Sequence, residues 1–108
     1  MNRKIELLAP ARDAQTAIAA FKCGADAVYI GAERFGARQA AVNSIEDIKK
    51  VADFAHQFYA KIYVTLNILL FDGELAVAEK MINQLYKAGA DGLIIQDVGL
   101  LELDLPPI

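Results

Sequence analysis

Apolar and polar positions along the chain follow two periods, and the switches between them lay out the elements. Ile5 to Ala9 is a short apolar run closed by Pro10 and reads as a strand. Asp13 then stands as the N-cap of a helix that carries Ala14, Ala17, Ile18 and Phe21 on one face. Gly24 falls where a helix stop needs the left-handed conformation. Ala27 to Ile30 is a second strand, closed by Gly31, and Ala32 to Asn43 is a polar, arginine-bearing loop. Ser44-Ile45-Glu46-Asp47 fits a capping box, and its helix turns Ile45, Ile48, Val51, Ala52, Ala55 and Phe58 inward. Lys61 to Asn67, β-branched and aromatic, is a third strand. Asp72 caps a third helix with Leu75, Ala78, Ile82, Leu85 and Tyr86 on its buried stripe. Gly89 ends that helix, and Leu93 to Gln96 is a fourth strand.

The pattern repeats itself. Lys22-Cys23-Gly24-Ala25-Asp26 recurs as Lys87-Ala88-Gly89-Ala90-Asp91, each time between a helix and an apolar strand. Glycine supplies the helix stop and aspartate opens the strand. Strands apolar on both faces, alternating with helices, call for a parallel sheet covered by helices. The fold class is α/β, and the repeat favours the N-terminal half of a TIM-type (βα)8 barrel, with four strands in the order 1-2-3-4 and three main helices. Residues 1–108 then form a single partial-barrel domain, since a whole barrel takes about 250 residues. A self-contained small α/β domain is the alternative, and a strand order of 2-1-3-4 would instead mark a doubly wound sheet.

Composition narrows the classes. Residues of the set AVILMFWYC make up 56% of the chain and charged residues 23%, which excludes disorder. The longest mostly apolar stretch, Ile62 to Phe71, is broken by Thr65 and Asn67 and is far short of the roughly 20 residues of a membrane span. Ile5 to Leu8 is too short for a secretory signal and contains Glu6. A net charge of −3 offers no bulk field for nucleic acid. The single cysteine, Cys23, forms no internal disulfide and supplies neither a CxxC zinc site nor an iron–sulfur ligand set. A reducing, cytoplasmic setting follows.

In parallel α/β folds the working face lies at the carboxyl ends of the strands. Arg12 follows the first strand, Glu33, Arg34 and Arg38 the second, Asn67 the third, and Gln96 and Asp97 the fourth. Three of the four arginines therefore gather at one end, where their planar forks suit a carboxylate or phosphate. Arg12, Glu33, Arg38, Asn67, Gln96 and Asp97 are the candidate substrate- or anion-binding set. Loop solubility and local pairing with Glu33 account for the same arginines without a ligand. Asn67 and Gln96 end apolar strands, and a buried amide needs either a use or a partner. Asp97 fits the cap of a short Gly99-Leu100-Leu101 turn. His56 reads as a surface residue, Ser44 as an N-cap, and Cys23 as a packed thiol, so no nucleophile–base set assembles and no catalytic residue is assigned. HExxH and GxGxxG are absent.

Five motifs, in order, carry a resemblance: Glu6-Leu7-Leu8-Ala9-Pro10-Ala11, Gly24 through Gly31, Phe35-Gly36-Ala37-Arg38, Tyr63-Val64-Thr65-Leu66-Asn67, and Gln96-Asp97-Val98-Gly99-Leu100-Leu101. They resemble the N-terminal barrel segment of the collagenase-like peptidase family. Arg12 and the ending Leu103 to Ile108 look most like its branch that hydroxylates a cytidine of large-subunit ribosomal RNA. The resemblance implies oxygen-independent hydroxylation of RNA bases or ubiquinone precursors, an iron–sulfur cluster held by cysteines downstream of these residues, and prephenate as hydroxyl source in the RNA-modifying branches. It leaves this segment without a cluster or activity of its own, and RNA as a partner of the full-length protein. A protease or collagenase, as the family name has it, and a non-catalytic α/β binding module remain as alternatives. A half-barrel has open edge strands and an uncovered sheet face, so a homo-oligomer is expected through that face or those edges, with no membrane association.

Overall fold

In the computed structural model the described residues are 5–32, 43–66 and 75–108. Four strands, β1 (Leu8–Ala11), β2 (Ala27–Gly31), β3 (Lys61–Leu66) and β4 (Gly92–Ile95), pair in parallel in the order β1-β2-β3-β4. Helices α1 (Ala14–Lys22), α2 (Ile45–His56) and α3 (Leu75–Ala88) alternate with them, and a 3₁₀ helix, Val98–Glu102, follows β4. Crossovers of one hand between successive neighbouring strands, the rule for parallel βαβ units, put the helices on one face. There Val28, Ile30, Ile62, Val64 and Leu66 share a core with Ala17, Phe21, Ile48, Val51, Ile82 and Leu85. The strand order is compatible with part of a barrel and is not the doubly wound order 2-1-3-4.

The other face shows the period of two differently. Leu8, Pro10, Tyr29, Tyr63, Thr65 and Ile94 alternate with the core positions and are exposed or half-buried. Helices on one side of the sheet are what part of a barrel leads one to expect, and the described helices lie on one face. Gly92 has a local reason for being glycine: a Cβ there would stand 2.9 Å from Cδ1 of Tyr63, whose ring lies over β4.

Each helix ends on the same stop. Gly24 (φ 105°) donates its N–H to the Phe21 carbonyl and Ala25 donates to Ala20, the two bonds of a Schellman motif. Gly89 (φ 107°) and Ala90 repeat this on Tyr86 and Leu85. At the end of α2 the pattern recurs from Tyr59 to His56 and Ala60 to Ala55, with Tyr59 at φ 59° in the place of glycine. The aspartate after each glycine then clamps the neighbouring strand. Asp26 donates its N–H to the Leu7 carbonyl and accepts the Leu7 N–H on its carboxylate at 2.8 Å. Asp91 does the same to Ile62, with 2.9 Å for the carboxylate bond. The sequence repeat is thus a repeated helix stop and strand clamp.

Several expectations shift. The first strand runs past Pro10 to Ala11, because β1 is an edge strand bonded on one side and tolerates a residue with no N–H. Strand four begins at Gly92 and ends before Gln96. Phe58 is 62% exposed, because α2 ends at His56 and the chain turns there. Tyr86 is 41% exposed, and Met81 takes the extra place on the buried stripe of α3. Cys23 is an exposed C-cap rather than a packed thiol. Asp72 lies outside the described residues. No helix among the described residues is long and apolar enough to cross a membrane.

Candidate anion-binding end of the sheet

The carboxyl end of the sheet is built outward from caps. Asp13 is the N-cap of α1, and its carboxylate accepts the Thr16 N–H at 2.8 Å. That backbone bond, then the Thr16 side chain and to a lesser degree Arg12, hold the Asp13 carboxyl below its ordinary pKa. Arg12 follows β1 directly, with Nε 3.8 Å from Asp13 Oδ2 and its guanidinium largely exposed. Its backbone is fixed by a residue from a distant part of the chain. Asn43, buried, donates from Nδ2 to the carbonyls of Arg12 at 3.0 Å and Gly31 at 2.8 Å. One amide thereby ties the carboxyl ends of β1 and β2 to the start of α2, where Ser44 and Asp47 form the capping box. Sequence reasoning placed Asn43 at the end of a loop and missed this role. The only signal was an amide next to an N-cap; its acceptors are set by tertiary approach.

At the opposite edge Gln96 follows β4 and is exposed, so no desolvation cost attaches to its amide. Asp97 caps the 3₁₀ helix, accepting the Gly99 N–H at 2.8 Å. Arg12, Gln96 and Asp97 therefore follow the carboxyl ends of the two edge strands. Glu33, Arg34, Arg38 and Asn67 lie outside the described residues, so the joint placement of Arg12, Arg38 and Asn67 does too. His56 is exposed and its Nε2 sits 2.9 Å from Asp91 Oδ2, at the amino end. Among the described residues no group of three or more His, Cys, Asp or Glu is placed to hold a metal. An iron–sulfur cluster is held by several thiolates, and Cys23, at the helix stop before β2, does not supply such a set.

The sequence profile described as Peptidase family U32 matches residues 12–106. The chain belongs to peptidase family U32. It is 55% identical, over 99% of its length, to the 23S rRNA 5-hydroxycytidine C2501 synthase of Escherichia coli (strain K12). It is 38% identical over 94% of its length to tRNA hydroxylation protein P1 of Bacillus subtilis (strain 168), and 32% identical over 89% to a collagenase of Porphyromonas gingivalis (strain ATCC BAA-308 / W83). The chain spans 16% of the first of these relatives and 24% of each of the other two. No solved structure matches it.

Proposed function

We propose that these residues form the N-terminal half of a (βα)8 barrel in a cytoplasmic enzyme that hydroxylates an RNA base without molecular oxygen. The observation that carries the reading is the 55% identity across nearly the whole chain to a relative named for making 5-hydroxycytidine in 23S rRNA. In this reading the carboxyl end of the sheet binds the anionic groups of the reactants. Arg12, with Arg38, offers guanidinium forks to carboxylate or phosphate, and Glu33, Asn67, Gln96 and Asp97 orient them by hydrogen bonding. Asn43 acts through Arg12 as a positioning residue. The iron–sulfur cluster that the resemblance implies is held by cysteines other than Cys23.

The collagenase relative supports a protease as the second reading. Its residues are harder to find in this segment. Ser44 is committed to capping α2, and His56 is paired with Asp91 at the amino end. RNA mass spectrometry with iron quantification on the full-length protein tests the hydroxylase. A hydroxylated base that disappears on gene deletion, together with bound iron, supports it; neither altered base nor iron, alongside inhibitor-sensitive peptide cleavage, gives the function to the protease.

A further inference from the structure

A second surface lies at the amino end of the sheet. A cavity of about 320 Å³ opens there, lined by Phe21, Phe58 and Tyr59 with Glu6, Asp26 and Lys61. Its aromatic wall is continuous with the core. The Phe21 and Phe54 ring centroids are 6.4 Å apart, and Phe54 and Phe58 are 5.3 Å apart. The wall ends on two rings that the fold leaves in water, Phe58 at 62% and Tyr59 at 95% exposure. Tyr59 also occupies the left-handed helix-stop position that the two sister stops give to glycine. A large exposed aromatic residue there costs backbone energy and gains no packing among the described residues.

The charges choose the partner. Glu6 and Asp26 face the cavity against the single ammonium of Lys61. The C-terminal end of α1 also reaches the cavity through Phe21, and its dipole favours a cation there. Exposed rings beside carboxylates suit a guanidinium, which stacks on the ring face while pairing with the acid. We infer that the cavity bounded by Phe58, Tyr59 and Glu6 docks a basic peptide segment of a partner protein, with an apolar side chain in the cavity and an arginine over the rings. This surface is separate from the carboxyl end, so it goes beyond the proposed activity and stands or falls independently of it.

The test uses the full-length protein and two fluorescein-labelled pentapeptides, one alternating leucine with arginine and one alternating leucine with glutamate, read by fluorescence anisotropy. The arginine peptide is expected to bind at least tenfold more tightly than the glutamate peptide. Tyr59→Gly, Phe58→Ala and Glu6→Gln are each expected to weaken it fivefold or more, while Glu102→Gln, beyond β4, changes it less than twofold. Tyr59→Gly is the informative variant, because it relieves the backbone and is expected to raise the unfolding midpoint as binding falls. Equal binding of both peptides, or arginine-peptide binding unmoved by Tyr59→Gly and Phe58→Ala, overturns the inference. So does displacement of the arginine peptide by a single-stranded RNA oligonucleotide, which would assign the rings to base stacking.

Discussion

Asn43 shows how much of this end of the molecule rests on one side chain. Its two N–H groups satisfy carbonyls from two different strand ends, and each carbonyl left without a donor in a buried setting costs on the order of 1–3 kcal/mol. Asn43→Ala is therefore expected to lower the urea-unfolding free energy by about 2 kcal/mol. Asn43→Asp should lower it further, because a carboxylate would face two carbonyl oxygens. An unchanged midpoint in both variants would remove Asn43 from its positioning role. Asp13 makes a pH-dependent counterpart. Its folded pKa lies below its ordinary value, so its contribution is complete above the ordinary carboxylate pKa and is lost as pH falls through the lowered one. An Asp13→Asn variant should accordingly show a weaker acid dependence of stability than the parent below about pH 4. Parallel curves across that range would contradict the assignment. Asp13 was legible in the sequence because a cap is a local arrangement. Asn43 was not, because its acceptors, Arg12 and Gly31, lie 31 and 12 residues away.

At the scale of elements, three helices end in one geometry reached from different residues. Gly24 and Gly89 share nearly the same positive φ, yet their surroundings differ. A Cβ on Gly24 would meet nothing within 4 Å, whereas one on Gly89 would stand 3.0 Å from Cβ of Ala52. Gly24→Ala should thus cost only the left-handed backbone term, about 1 kcal/mol, and Gly89→Ala clearly more. Thermal unfolding of the two variants checks the ordering, and equal costs would mean that the α2–α3 contact yields freely. The clamps separate similarly. Asp26 serves the exposed Leu7, while Asp91 serves the buried Ile62 and also pairs with His56. Asp91→Ala is expected to destabilise by about 2 kcal/mol and Asp26→Ala by about half that. The repeat in the sequence located both stops, since glycine and aspartate are read from local chemistry. The third stop went unseen because Tyr59 breaks the glycine rule, and the inward reading of Phe58 failed because the helical period was carried beyond the helix end.

For the whole molecule, the unpaired edges and the face away from the helices decide how this 108-residue segment behaves by itself. Periodicity gave the parallel α/β order, because every strand has a helical neighbour in sequence. The uncovered second face followed from the half-barrel reading, whereas its tyrosines and threonine read as strand formers without saying what covers them. On that face Leu8 is 43% exposed and Ile94 38%, at the two edges of the sheet. The edges are not equivalent. β1 contains Pro10, whose missing N–H and ring discourage another strand from pairing. β4 reads Gly-Leu-Ile-Ile, with neither proline nor lysine to block it. Beside it, an apolar hollow of about 110 Å³ is lined by residues including Leu93, Ile95, Leu101 and Ile108, with Leu101 66% exposed. Apolar surface of this kind drives association. The isolated segment is therefore expected to self-associate through the β4 side, with a mass by light scattering that rises over the micromolar range. Ile94→Lys, which sets a charge on that edge, should return it toward the monomer mass, whereas Leu8→Lys should do so less because Pro10 already guards β1. A concentration-independent monomer, or an equal response to both lysines, would show that neither β4 nor its adjoining face is the sticky side of the sheet.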